Sequence, residues 1–256
     1  IGRVGAGLEN IDLDTAQKKK VAVFNAPEGN RDAVGEHALG MLLSLQNHLL
    51  RADREVRKGV WRRTENRGTE LRHQVVGLIG FGYMGSAFAE KLRGLGCRIL
   101  AFDKYKSHYA PSYVEEVQDL GTIQQQSDVI SLHTPQTEET LGMLNRAFFQ
   151  GLGRSPIIIN TARGKSLVSE HLVEALERGQ VRGACLDVLE YEANSFEGSP
   201  TAQAAENPLL PSALRYLLMS EAVQLSPHIA GWTHQSRRKM ADVLLYKITQ
   251  LRSTIS

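Results

Sequence analysis

The sequence predicts an α/β fold built on a doubly wound parallel sheet. Short apolar segments of strand length alternate along the chain with longer segments whose apolar residues recur at helical spacing. This alternation is typical of helices packed on both faces of a parallel sheet. A second observation is the turn G-x-G-x-x-G at residues 80–85, which directly follows the apolar segment 75–79. Strand, glycine-rich turn and helix in this order indicate a Rossmann fold.

The length and composition of the chain limit the classes of function that we expect. A chain of 256 residues, 42% of them hydrophobic, has room for one large domain or two modest ones. The formal net charge of +2 gives no bulk attraction to nucleic acid, so we expect no such partner. The sequence shows no bilayer-spanning apolar stretch and no signal peptide, so we expect a cytoplasmic protein without a membrane partner. Cys97 and Cys185 fall in predicted strands, which favours buried free thiols over a disulfide.

The first thirty residues contain two glycines, Gly5 and Gly7, that predict a turn. Two interpretations stay open from these residues alone: a turn whose backbone amides hold an anion, and an ordinary loop. A short helix with a basic end is expected over 12–20, a strand over 21–24, and a loop from there to Asn30.

A helix is expected from Arg31, because apolar residues recur at helical spacing as far as Leu49. It is expected to continue into a run of basic residues that ends near Arg67. Such a run is typical of a nucleic-acid patch or of a solvated helix face. Acidic residues such as Asp53 and Glu55 interrupt this run, which favours a solvated face or a subunit contact.

The glycine-rich turn has a physical reason at each glycine. Gly80 permits the tight turn, Gly82 leaves room for a pyrophosphate, and Gly85 lets the helix pack closely on the strand. The helix that begins at Tyr83 offers free N–H groups and a positive dipole end to the phosphates. A plain tight turn is the alternative when the motif stands alone. However, the next strand ends at Asp103, eighteen positions after Gly85, where a partner of the ribose hydroxyls is expected.

Four further apolar segments predict parallel strands, and ligands of an open α/β sheet bind beyond the carboxyl ends of its strands. These segments are 127–132, 156–160, 184–189 and 223–226, with helices expected near 172–176 and 236–251. The residues at or just past the strand ends are Gly80–Gly85, Asp103, His133, Arg163, Asp187, Glu192 and His228.

Arg163, Glu192 and His228 form the set of groups that reduction of a 2-keto acid needs. An arginine can clamp a carboxylate and polarise the adjacent carbonyl. A histidine can exchange the hydroxyl proton near neutral pH, and a carboxylate beside it orients the ring. Each residue taken singly also fits a structural role: an exposed ion pair for Arg163, solvation for Glu192, a loop hydrogen bond for His228. Their shared rim favours the functional interpretation.

Several motifs in one order give the chain a resemblance to a known family. They are Arg3–Asp12, Val21–Pro27, Val76–Gly85, Leu132–Pro135, Asn160–Gly164, Leu186–Val188 and Ser226–Gly231. With these motifs, which span nearly the whole chain, it resembles the D-isomer-specific 2-hydroxyacid dehydrogenases, the group that includes 3-phosphoglycerate, glycerate and D-lactate dehydrogenases.

The resemblance implies a role for individual residues. Arg163 matches the arginine that binds the substrate carboxylate and carbonyl, and His228 matches the acid/base histidine. Glu192 matches the carboxylate paired with that histidine, with Glu190 as the second candidate. Asp187 matches the aspartate near the nicotinamide carboxamide. Substrate contacts are implied at Gly5, Ala6, Gly7 and Asn30.

The implied cofactor is NAD, and no metal is expected. Because a 2′-phosphate would meet the charge of Asp103, the resemblance implies a preference for NAD over NADP. The implied cofactor contacts are Gly80, Gly82, Tyr83, Met84, Gly85, Asp103, His133, Thr134, Pro135, Thr140, Thr161, Ala162, Asp187, Ala230 and Gly231.

The same resemblance predicts the domain organisation. Residues 29–232 are expected to form the dinucleotide-binding domain, with a dimer arm at about 31–70. Residues 1–28 and 233–256 are expected to be remnants of a flavodoxin-like substrate domain. Most of that domain precedes the 5–7 turn in the family, so we expect it to be absent here and the chain to be truncated. We also expect no C-terminal regulatory domain and therefore no serine-type feedback.

The long segment between Glu192 and His228 departs from the family pattern, and Ala193 replaces the proline that commonly follows the glutamate. A lid or subunit contact and a plain insertion both stay open for this segment.

The resemblance thus implies an NAD-dependent, homodimeric oxidoreductase acting on a small D-2-hydroxy acid or 2-keto acid. Candidate substrates are 3-phosphoglycerate and glycerate or hydroxypyruvate, but the sequence does not identify one. Arg3 is the extra cation that a phosphorylated substrate would need. The alternatives are an NAD(H)-sensing binding protein of the corepressor type and a catalytically impaired fragment.

Overall fold

The structure, a computed structural model, describes residues 1–192 and 210–255, with side chains as far as residue 251. The described residues form one seven-stranded sheet in which every pairing is parallel, in the order β3-β2-β1-β4-β5-β6-β7. The strands are β1 (Val75–Ile79), β2 (Arg98–Phe102), β3 (Glu115–Glu116), β4 (Val129–Leu132), β5 (Ile157–Asn160), β6 (Gly183–Leu186) and β7 (Val223–Leu225). The predicted doubly wound parallel sheet is confirmed.

Helices cover both faces of the sheet. They are α1 (Leu13–Lys18), α2 (Pro27–Gln46), α3 (Leu49–Arg57), α4 (Tyr83–Leu92), α5 (Leu120–Gln126), α6 (Arg146–Gln150), α7 (Ser169–Glu177), α8 (Ser212–Met219) and α9 (His234–Ile255). Buried residues of α2 and α4 pack in one core cluster, and those of α5 to α8 in another. Alternate residues of β1 point to the two clusters, as the two-residue period of a strand requires: Val75 and Ile79 to one, Val76 and Leu78 to the other.

Three local expectations were wrong. The segment 21–24 is not a strand, because its pairing is limited to an isolated bridge between Gly2 and Phe24. The helix expected from Arg31 begins at Pro27, since proline favours the first helical position. It ends at Gln46 instead of running to residue 67, because His48 takes the left-handed conformation with φ of 53°.

Four short elements were not predicted: β3, α5, α6 and α8. Their brevity is the physical reason. The helix α5 has seven residues and buries only Ile123, and β3 has two residues, so neither shows a full hydrophobic period.

The N-terminal residues and α9 share a small core. Ala26, Met240 and Leu244 are buried together, with Phe24 and Val243 packed against them. The helices α2 and α9 also meet closely, because a Cβ on Gly29 would lie 2.5 Å from the backbone nitrogen of Met240. Both thiols are free, as predicted, but only Cys185 is fully buried, because Cys97 lies just before β2 and is partly exposed. Among the residues described here, no helix is long and apolar enough to cross a membrane.

Candidate active site

The glycine-rich turn is built as its sequence predicts. Gly80 has a φ of +92°, and a Cβ there would lie 2.8 Å from the carbonyl oxygen of His133. A Cβ on Gly85 would lie 2.2 Å from the carbonyl oxygen of Gly80, so the helix packs directly on the turn. Gly82, the N-cap of α4, faces open space. The first amides of α4 have no side-chain cap and are available to a phosphate group.

Asp103 lies beside this turn at the end of β2. Its carboxylate accepts hydrogen bonds from the backbone N–H groups of Phe81, at 2.9 Å, and Tyr105, at 3.0 Å. The Lys106 ammonium donates to the carbonyl oxygen of Phe81 at 2.8 Å. The open space at Gly82 and an anchored carboxylate next to it fit the diphosphate and the ribose of a dinucleotide.

The side chain of His133 is buried beside the glycine-rich turn. This side chain points inward, with Nε2 3.0 Å from the Ser131 hydroxyl and the ring against Phe88. Burial lowers the pKa of His133 to about 3, so the ring is neutral. The cofactor contact predicted for His133 stays a prediction. Nearby, the Thr140 hydroxyl donates to the carbonyl oxygen of Pro135 at 2.7 Å and shapes the turn after β4.

Asn160 positions the loop that carries Arg163. Its amide donates to the carbonyl oxygen of Arg163 at 2.9 Å, and its side-chain oxygen accepts from the N–H of Ala162 at 3.1 Å. The adjacent Thr161 hydroxyl is buried and has no hydrogen-bond partner among the described residues. The Arg163 guanidinium donates from Nη1 to the carbonyl oxygen of Ala162 at 2.7 Å and from Nε to Glu9 at 2.6 Å.

The N-terminal turn lies against Arg163, although 156 positions separate Gly7 from that arginine. A Cβ on Gly7 would lie 2.2 Å from Nη2 of Arg163. The Arg3 guanidinium donates to the carbonyl oxygen of Gly7, and Asn25 donates to that of Ala6. The structure thus brings the predicted substrate turn and the predicted arginine together.

Glu9 belongs to this site and was not predicted. Burial raises the pKa of Glu9, but the hydrogen bond and charge of Arg163 outweigh burial and hold the pKa below its ordinary value. Glu9 lies within the motif 3–12, yet only the distant contact to Arg163 reveals what it does.

His228 and Glu192 form a half-buried pair, with exposed side-chain fractions of 26% and 21%. Nδ1 of His228 lies 2.8 Å from a carboxylate oxygen of Glu192, and the other oxygen accepts from the N–H of Leu189. Glu190 instead accepts from the N–H of Ser169 at 2.8 Å, at the start of α7. Of the two candidate carboxylates, Glu192 is therefore the one that hydrogen-bonds to His228.

Asp187 holds the turn on which His228 sits. Its side chain is 1% exposed, and its carboxylate accepts from the N–H groups of Ile229 and Ala230, at 2.9 and 2.8 Å, and from the Ser226 hydroxyl, at 2.6 Å. Burial raises the pKa of Asp187, but hydrogen bonds from His37 and Ser226 and from the two amides hold it below its ordinary value. The cofactor contact predicted for Asp187 stays a prediction.

Asn30 lies against the same turn. A Cβ on Gly231 would lie 2.6 Å from the amide nitrogen of Asn30, and the side-chain oxygen of Asn30 is buried with no partner among the described residues. The first turn of α2 therefore contacts the segment that follows His228, next to the predicted substrate site.

The segment 39–230 matches the family model described as D-isomer specific 2-hydroxyacid dehydrogenase, NAD binding domain. The chain belongs to this family. The matched domain and the open glycine-rich turn confirm NAD as the predicted cofactor. The relatives and solved structures named below agree with this assignment.

Two curated relatives align over nearly the whole chain. Hydroxypyruvate reductase of Thermotoga maritima is 35% identical over 248 residues, which are 97% of this chain and 76% of that protein. D-3-phosphoglycerate dehydrogenase of Archaeoglobus fulgidus is 32% identical over 252 residues, which are 98% of this chain but 45% of that protein. The chain therefore spans less than half the length of the second relative.

The fold matches solved structures of the family. One is D-lactate dehydrogenase from Aquifex aeolicus complexed with NAD and lactic acid, with a TM-score of 0.83 and 29% identity over 100% of this chain and 77% of that chain. Another is D-lactate dehydrogenase with NAD+ from Lactobacillus jensenii, with a TM-score of 0.80 and 29% identity over 95% of this chain and 72% of that chain.

Proposed function

We propose that this protein is an NAD-dependent dehydrogenase that interconverts a small D-2-hydroxy acid and its 2-keto acid. The observation that supports it best is the pairing of His228 with Glu192 on the same rim that holds Arg163 and the glycine-rich turn. NADH bound at that turn supplies the hydride for the C2 atom of the keto acid.

Arg163 and the 5–7 turn bind the substrate in this proposal. A guanidinium presents paired donors that match a carboxylate, and it polarises a neighbouring carbonyl. Nη2 of Arg163 lies against Gly7, so the guanidinium and the turn are close enough to hold the carboxylate of the substrate together. Glu9 holds Nε of the guanidinium and thereby fixes the plane of the group.

His228 exchanges the proton of the substrate oxygen. Glu192 can only accept a hydrogen bond when ionised, so Nδ1 of His228 carries a proton. Nε2 is then the nitrogen that delivers a proton to the carbonyl oxygen during reduction and takes it from the hydroxyl during oxidation. Because Glu192 itself is anchored by the N–H of Leu189, the ring is held in one orientation.

The finer assignment is the substrate. The candidates are 3-phosphoglycerate and glycerate or hydroxypyruvate, and the curated relatives named above bear the corresponding names. Arg3 lies on the substrate turn, where its charge would suit a phosphorylated substrate. We further propose residues 29–232 as the NAD-binding domain and residues 1–28 with 233–256 as part of the substrate domain.

We also propose a homodimer formed through the arm at about 31–70. Four large apolar side chains of α3 and the following loop are more than half exposed, and α3 has no buried residue. A partner subunit would cover them. They are Leu49, Leu50, Val56 and Trp61.

The test is NADH oxidation with hydroxypyruvate, glyoxylate, pyruvate and 3-phosphohydroxypyruvate, followed at the nicotinamide absorbance. Turnover that His228→Ala abolishes, while NADH still binds, supports the proposal, and the best keto acid names the substrate class. NADH binding without turnover of any keto acid would contradict it and favour an NAD(H)-sensing protein or an impaired fragment. Sedimentation of the same sample, with Trp61→Asp as the dissociating variant, tests the dimer.

A further inference from the structure

We propose that His37, a residue of α2, is a positioning residue that acts on His228 through Ser226 and Asp187. This inference rests on the proposed dehydrogenase function. It concerns a histidine that the sequence did not single out, 191 positions away from the residue on which it acts.

A chain of hydrogen bonds joins the two histidines. Nε2 of His37 lies 2.9 Å from the Ser226 hydroxyl, and this hydroxyl lies 2.6 Å from Oδ1 of Asp187. Nε2 of His37 is also 3.4 Å from the same carboxylate oxygen. Asp187 in turn contacts the His228 turn directly. Its carboxylate accepts from the N–H groups of Ile229 and Ala230, and its backbone carbonyl accepts from the N–H of His228.

The chemistry of the groups fixes the direction of each bond. An ionised carboxylate only accepts, so the single Ser226 proton goes to Asp187. The Met41 sulfur, 3.6 Å from the same hydroxyl, is a weak acceptor and does not compete. The Ser226 oxygen, at 2.9 Å, is then a nearer acceptor for Nε2 of His37 than the Asp187 carboxylate oxygen, at 3.4 Å, and either contact places a proton on Nε2. His37 therefore acts as a donor, and it orients the Ser226 hydroxyl towards the carboxylate.

The His228 turn needs this support because its backbone is unfavourable. His228 has a φ of +55°, a left-handed conformation that a non-glycine residue holds only when its surroundings enforce it. The two amides on Asp187 help to enforce it, as does the His228 N–H, which donates to the carbonyl oxygens of Asp187 and Ser226. If the Ser226 hydroxyl rotated, its proton would either compete with those amides for another position on the Asp187 carboxylate or point away from it. In the second case the buried carboxylate would have one hydrogen-bond donor fewer.

The helix α2 supports the same turn at a second point. Asn30 lies seven positions before His37, which is about two helical turns, so both project from one face of α2. Asn30 contacts Gly231 and His37 contacts Ser226. The two ends of the turn that carries His228 are therefore both held by α2.

The experiment compares His37→Phe with His37→Gln. Phenylalanine keeps the ring volume and removes the donor, whereas the glutamine amide can place an N–H where Nε2 lies. We expect His37→Phe to lower kcat about 10- to 100-fold, as loss of an outer hydrogen-bond partner of a site does. The KM of the keto acid and the Kd of NADH should change little, and His37→Gln should regain most of the lost kcat. The control is His171→Phe, in α7 on the opposite face, which should retain the parental kcat.

A double-mutant cycle with Ser226→Ala tests the route. Since both side chains act through Asp187, the double variant His37→Phe with Ser226→Ala should lose no more kcat than the worse single variant. Multiplicative losses would overturn the proposal, as would an unchanged kcat in folded His37→Phe. A loss that His37→Gln does not rescue, accompanied by weaker NADH binding, would indicate a general packing role instead.

Amide hydrogen exchange separates this inference from the proposed activity. In His37→Phe the N–H groups of Ile229 and Ala230 should exchange faster, while His37→Gln should retain their protection. This result would support the positioning role even if the parent chain reduced no keto acid. Unchanged protection in both variants would overturn it, whatever the activity. If His37→Phe does not fold, Ser226→Ala gives the same measurement with a smaller change in volume.

Discussion

His228 is held at both its side chain and its backbone, and its proposed role in acid–base catalysis depends on both. Glu192 fixes the tautomer at 2.8 Å, and Asp187 fixes the turn. We expect Glu192→Gln to reduce kcat, because the amide keeps the shape but replaces the charged hydrogen bond to Nδ1 of His228 with a weaker neutral one. His228→Ala should reduce kcat by about 10²- to 10⁴-fold, the range for loss of a general acid, and leave the Kd of NADH nearly unchanged. Stopped-flow reduction and NADH fluorescence titration measure the two quantities. Near-parental kcat in His228→Ala would remove the residue from its role.

Glu9 gives a second prediction at the scale of one residue. Its folded pKa lies below the ordinary 4.5, so the stability that it contributes is present above 4.5 and is lost as the pH falls through the lower folded pKa. Relative to Glu9→Gln, the parent should therefore gain its stability advantage at neutral pH and lose it in acid. The keto-acid KM of Glu9→Gln at pH 7 should be higher, because the Arg163 plane is no longer fixed. Denaturant unfolding from pH 3 to 7 measures the difference in free energy of unfolding between the parent and Glu9→Gln. If this difference stayed constant across that range, the ion pair of Glu9 with Arg163 would contribute nothing to stability.

The sequence predicted the residues whose place is set by a strand end, and it missed those whose place is set by a distant contact. Arg163 and His228 follow β5 and β7 directly, so the strand pattern is enough to place them on one rim. Glu9 and His37 reach the site from 154 and 189 positions away along the chain from their partners. No spacing rule encodes such contacts. The inward rotamer of His133 is likewise decided by packing against Phe88.

At the scale of elements, substitutions of three helix-associated glycines distinguish effects on NADH binding from effects on stability. A Cβ on Gly85 would clash with the turn at 2.2 Å, whereas Cβ atoms on Gly82 and Gly40 would meet nothing within 4 Å. We expect Gly85→Ala to weaken NADH binding and to lower the unfolding temperature, because α4 must shift. Gly82→Ala should weaken NADH binding alone, because the methyl group enters only the space that the pyrophosphate needs.

Gly40→Ala is the matched control, and it should stabilise the protein by about 0.5–1 kcal/mol through helix propensity. Calorimetry and NADH titration of the three variants distinguish these outcomes. Equal effects of Gly82→Ala and Gly85→Ala on both quantities would show that the two glycines do not have separate roles.

The same scale shows what hydrophobic pattern can and cannot predict. Strands buried on both faces, such as β4 and β5, are mostly apolar and were predicted within one or two residues. The break between α2 and α3 was missed because the apolar period continues through it to Leu49. A single left-handed residue, His48, ends the helix there. Histidine adopts that conformation more often than most residues, but one histidine in a helical pattern is not enough to predict the break.

At the scale of the whole molecule, the strand order places the site. The chain starts its sheet at β1, moves outward to β2 and β3, and returns to β4 on the other side of β1. The glycine-rich turn therefore lies where the direction of winding reverses, which is the position of the ligand crevice in open α/β sheets. The order could be expected from the family resemblance, whereas the contact of the 5–7 turn with Arg163 depends on how the N-terminal residues and α9 pack together, which no local pattern reveals.

Because the cofactor binds the folded sheet and not the unfolded chain, its binding must raise the stability of the whole molecule. At 100 times its Kd, NADH should add about 2.7 kcal/mol to the free energy of unfolding, which corresponds to a rise of roughly 5–10 °C in Tm for a chain of this length.

NADPH at the same concentration should give a smaller rise in Tm, because its 2′-phosphate meets the Asp103 carboxylate beside the glycine-rich turn. In Asp103→Ser the NADPH shift should approach that of NADH. Thermal unfolding of the parent and of Asp103→Ser, each with NADH and with NADPH, measures all four shifts in Tm. Gly82→Ala is the control, and it should show little shift with either nucleotide because its methyl group fills the space for the phosphates. Equal NADH and NADPH shifts in the parent would mean that Asp103 does not select the cofactor.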